Sequence, residues 1–196
     1  MSVLAWLKQR LQRDILRLGR PEPQTDLRAI FPRALMPSLS LPDRQVYPPI
    51  VSLAKDHIFG YRMHCLLTYQ GKEALDTLLR GAGFMALPAV TEHFSGVIEH
   101  STNETRIFLN QYIDFAGVCI NLVTNNNTLL AALVNFKSAP PTPWESFADV
   151  DPDTLGSLQG NIDFWCNYFW RPYWLSLSAA ERLQYPVKWQ EFSDFH

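Results

Sequence analysis

The sequence predicts an α+β fold: an antiparallel meander of four to five strands, with an N-terminal amphipathic helix and a C-terminal helix packed against it. Three observations carry this expectation. The middle of the chain alternates apolar and polar residues in short runs separated by Gly- and Asn-containing turns. The first eighteen residues repeat leucine at helical spacing. The last quarter opens on acidic capping residues and carries a dense aromatic run. A chain of 196 residues fits one domain, and a domain of that size buries roughly 70% of the surface its unfolded form exposes.

The N-terminal part, 1–20, reads as a helix because Leu4, Leu7, Leu11, Ile15 and Leu18 share one face, with Ser2 to cap it and Gly19-Arg20-Pro21 to end it. Lys8, Arg10, Arg13 and Arg17 occupy its polar face. The expected role is docking on the domain, with membrane-surface contact as the weaker alternative. From 21 to 50 the sequence holds seven of the chain's fourteen prolines. Each removes a backbone donor and fixes φ, so an extended wrap anchored by Ile30, Phe31, Leu35 and Met36 is expected.

Residues 51–137 form the α+β sheet region. "HIFGYRMHCLLTYQ" reads as a strand and "GKEALDTLLRGAG" as a short helix with Ala74, Leu75, Leu78 and Leu79 on one stripe. "GVIEHSTNETRIFLNQY" reads as a hairpin and "GVCINLVT" as a further strand. "TLLAALVNF" reads as the last strand, with helix as the alternative for so short an apolar run. A proline-rich joint at 138–151 leads to the aromatic-rich helical part, 152–196. There Asp151-Pro152-Asp153 opens a helix expected to run to about Trp170, because Pro172 disfavours helical geometry at Arg171. "SAAE" at 178–181 is a capping box opening another short helix.

Composition narrows function by elimination. Seventeen basic residues against nineteen acidic ones give no global field for nucleic acid. Three scattered cysteines, Cys65, Cys119 and Cys166, make neither a disulfide framework nor a metal-type CxxC. No apolar run approaches the ~20 residues of a membrane span, and Lys8 arrives too early for a secretory leader. A cytoplasmic location is therefore expected.

The candidate chemical constellations fail on geometry. On one strand, Asp56 and His64 share a face but lie about 26 Å apart, while His64 and Cys65 point to opposite faces. Glu92-His93 and Glu99-His100 would place two histidines about 10.5 Å apart on one helix, too far for one metal. Asp149, Asp151 and Asp153 mimic the start of a calcium loop but lack its glycine and glutamate. "NET" and "NNT" match the glycosylation pattern without other signs of secretion. No catalytic residue, metal site or cofactor is expected.

What remains is "NIDFWCNYFWRPYW", half of whose fourteen residues are aromatic. At 100° per residue, Leu155, Leu158, Ile162, Trp165, Cys166, Phe169 and Trp170 share one arc and form a core stripe. Phe164 and Tyr168 fall outside it, either covered by "YPVKWQEF" or the proline-rich wrap, or left exposed. Exposed, they form with Arg171, Tyr173 and Trp174 a candidate partner-binding surface of the residue types enriched in interface hot spots. The expected function is that of a non-catalytic cytoplasmic protein-binding protein, in the manner of bacterial toxin-neutralising immunity proteins or secretion adaptors. The alternative is a small hydrolase or transferase using His57, His64, Glu92 or His93.

Overall fold

The structure, a computed structural model, describes residues 26–37, 41, 46–85, 87–89 and 93–196. The expected amphipathic helix at 1–20 and part of the proline-rich wrap lie outside the described residues. Five antiparallel strands form one sheet, β1 (Ile50–Ser52), β2 (Tyr61–Leu67), β3 (Phe94–Glu99), β4 (Arg106–Asp114) and β5 (Gly117–Thr124), in the order β1-β2-β5-β4-β3. Only β3-β4-β5 is a meander. The chain leaves β2 through helix α1 (Tyr69–Gly81) and crosses to the far edge, so β2 pairs with β5 and not with β3.

Period-two alternation divides the sheet into two faces. On one, Met63, Cys65, Leu67, Ile107, Leu109, Val118, Ile120 and Leu122 are buried beneath Leu75 and Leu79 of α1 and Leu129, Leu130 and Leu133 of α2 (Asn127–Val134). Helix α2 is the segment "TLLAALVNF" expected as a strand. It is helical because Asn126 caps it, its side-chain oxygen accepting from Leu129 N–H at 2.8 Å, and because its leucines then share one buried stripe.

The second face is covered at two separate places. Phe31 and Leu53 pack on Val123 and Phe108, while Met36, expected as a further anchor, is exposed, and the described part of the wrap forms short helical turns at Leu27–Ile30 and Arg33–Leu35. At the other end the C-terminal part packs on Leu66 and Cys119. Between them a polar row crosses the sheet in register, from His64 through Asn121 and Asn110 to Ser95.

The C-terminal helix departs from expectation at both ends. Asp151 caps only a single 3-10 turn, Pro152–Thr154. The chain then passes Gly156 and Gly160, the latter at φ 64°, before helix α3 (Asn161–Trp165) begins. Nor does Pro172 stop it. A π-helical turn (Cys166–Trp170) links α3 directly to α4 (Arg171–Ser176), with Arg171 N–H bonded five residues back to Cys166 O. A π turn holds one extra residue and leaves a carbonyl without an intrahelical donor. Pro172, which has no N–H to give, sits at that step. The capping box at Ser178 forms as expected, Ser178 N–H donating to Glu181 Oε2 at 2.7 Å. A last helix, α5 (Val187–Phe195), closes the layer.

The two edges of the sheet are finished differently. Beside the three-residue β1, the Tyr47 hydroxyl accepts from Leu66 N–H at 2.7 Å and donates to Leu66 C=O at 3.0 Å. A buried phenol thus stands in for the strand residue that β1 is too short to supply.

Candidate protein-binding surface

The aromatic run is split by the π turn into an inner stack and an outer rim. Trp165 and Trp170 stack with centroids 5.5 Å apart, and Trp170 continues to Trp174 at 6.0 Å. Trp170 Nε1–H donates to Ser193 Oγ at 2.7 Å and Trp174 Nε1–H to Asp194 Oδ1 at 2.8 Å, so α5 covers the stack. This is where "YPVKWQEF" goes. It does not cover Phe164 and Tyr168.

Trp174, expected on the binding surface, is a core residue at 1% exposure. The reason is the uninterrupted helix: four residues beyond Trp170, Trp174 returns to the buried side, and the Arg182 guanidinium closes over it at 5.3 Å. Tyr173 is half-buried between layers, its hydroxyl 2.8 Å from that of Tyr185 and its ring edge-on to Tyr47. Burial first, and then the Tyr185 hydrogen bond, hold its phenol above the ordinary range.

Three of the five expected contact residues reach solvent as a group. Tyr168 is 53% exposed. Its ring lies 4.7 Å from that of the half-buried Phe164, and Arg171, exposed one turn on, donates to His196 O at 2.7 Å. Two residues that spacing within the helix does not reveal support this rim. His64, from β2, sits 5.8 Å from Tyr168 and 5.1 Å from Phe169. Phe115, from the β4–β5 turn, stacks on Phe164 at 6.3 Å and touches Phe147 and Phe169. Phe115 and Ala116 both take the left-handed conformation, φ 51° and 58°, in a two-residue turn. Non-glycine residues there are strained by about 1–2 kcal/mol. Burial of the Phe115 ring offsets that cost, and the tight approach of Gly117, where a Cβ would lie 2.5 Å from Leu67 O, fixes the turn in place.

Electrostatics sharpen the rim. Burial under the aromatic layer, and then the neighbouring Arg62, lower the His64 imidazole to about 4. The unfolded chain takes up that proton near pH 6.5, well before the folded one. Stability from this group is therefore complete above about pH 6.5 and is lost progressively as pH falls to about 4, a total of about 3 kcal/mol. Urea titrations at pH 7 and pH 4.5 should show a smaller acid loss in His64→Gln than in the unaltered chain. Equal losses would contradict the burial of His64. Next to it, Asn121 Oδ1 is buried without a hydrogen-bond partner among the described residues.

Among the described residues, the histidines of the enzymatic alternative are not brought together. His64 and His93 share a face but stand three strands apart, about 15 Å. His93 Nε2 lies 3.1 Å from Asn110 Oδ1, and His57 occupies an exposed turn before β2. Glu92 lies outside the described residues. His100 Nε2 is tied to Ala82 O at 2.9 Å, while Asp151 and Asp153 receive Lys188, the latter as its shorter partner. Among the described residues, no three His, Cys, Asp or Glu side chains converge as a metal site would require. The three cysteines are free and buried, and burial pushes the Cys119 thiol up to about 12 and Cys166 to about 11. No helix among the described residues is long and apolar enough to cross a membrane. Comparison with family models, with curated proteins and with solved structures gave no match.

Proposed function

We propose that this chain is a non-catalytic protein-binding protein that contacts its partner through Tyr168, Phe164 and Arg171. The observation that carries the reading is the position of Tyr168. In a run whose tryptophans are all buried, its ring remains 53% exposed and is backed by Phe164 and His64. An aromatic ring held rigid from behind and open in front supplies contact area at little entropic cost, which is how tyrosine serves at interface hot spots. Tyr173 contributes by fixing the layer beneath, and Trp174 by holding it to α5.

The function class follows from elimination, as it does in the sequence. A cytoplasmic partner-neutralising role, such as that of bacterial immunity proteins, or a secretion-adaptor role is the first to search. The test is parallel affinity purification of the tagged chain and its Tyr168→Ala variant from the native cell at native expression, with mass spectrometry of what co-purifies. The reading expects a discrete protein retained by the unaltered chain and depleted from the variant. A recovered set identical in both would sink it.

A further inference from the structure

We draw no further inference here: the strongest candidate, the strip of the sheet's second face between the Phe31 cluster and the C-terminal layer, crossed by the polar row from His64 through Asn121 and Asn110 to Ser95, carries nothing because nothing in the structure shows what covers it.

Discussion

Trp170→Ala lowers the stability of the domain by about 3–5 kcal/mol, the range for truncating a fully buried tryptophan. Trp170 is 1% exposed and is the centre of the C-terminal layer. It stacks between Trp165 and Trp174, meets Tyr173 and Tyr185 at 5.6 Å each, and donates its indole N–H to Ser193. Removal leaves a cavity lined by four rings and frees the Ser193 hydroxyl, which still donates to Trp189 O. Trp165, Tyr173 and Trp174 belong to a helix whose geometry is fixed by the π turn, so they have little room to close the gap. Urea unfolding should show a lower midpoint with an unchanged slope. A loss under 1 kcal/mol would mean that the stack is not a core. Tyr168, two residues earlier, serves as the internal contrast, because its truncation leaves stability nearly unchanged.

Asp76→Ala costs a similar amount, about 3–5 kcal/mol, through a different mechanism. Its carboxylate bonds Lys72 Nζ at 2.7 Å with side-chain exposures of only 14% and 8%. Its second oxygen accepts from Leu87 N–H at 3.0 Å, tying the segment after α1 to the helix. Alanine strands a lysine charge in a buried site and orphans the Leu87 amide. The double variant Lys72→Met/Asp76→Asn removes both charges and keeps an oxygen for Leu87. It should recover to within about 1 kcal/mol of the unaltered chain. Equal destabilisation of the single and double variants would show that the cost comes from packing and not from the unpaired charge.

Strand β3 was legible in the sequence because its residues alternate between the half-buried and the exposed side, whereas β5, buried almost throughout, was legible as a short apolar run bounded by turn residues. Strand β1 was not legible: three residues behind two prolines carry no period. Helix α2 was ambiguous because Leu129, Leu130 and Leu133 satisfy a buried strand as well as a helical stripe, and the deciding signal was the Asn126 cap. Pro172 misled because the steric bias it places on the preceding residue is a preference that the packed helix overrides: Arg171 keeps α-helical dihedrals, φ -58° and ψ -46°.

Helical angle alone separated Trp165, Phe169 and Trp170 from Phe164 and Tyr168, and the burial of the first three agrees with it. The same arithmetic stopped at Pro172 and so left Trp174 on the wrong side. His64 and Phe115 reach the rim from β2 and from the β4–β5 turn. Such contacts depend on strand order, β2 beside β5, and no local spacing encodes that order.

The central claim is that the aromatic run is divided, with a tryptophan core inside and Tyr168 left out to grip another protein. Its most direct measurement is isothermal titration of the protein retained by the unaltered chain into that chain and into Tyr168→Ala, with thermal melts of both. The expected result is an affinity loss of more than about 1 kcal/mol, roughly fivefold, at an unchanged melting temperature. Equal affinity, or a melting temperature that falls with the affinity, would contradict it and return Tyr168 to the core.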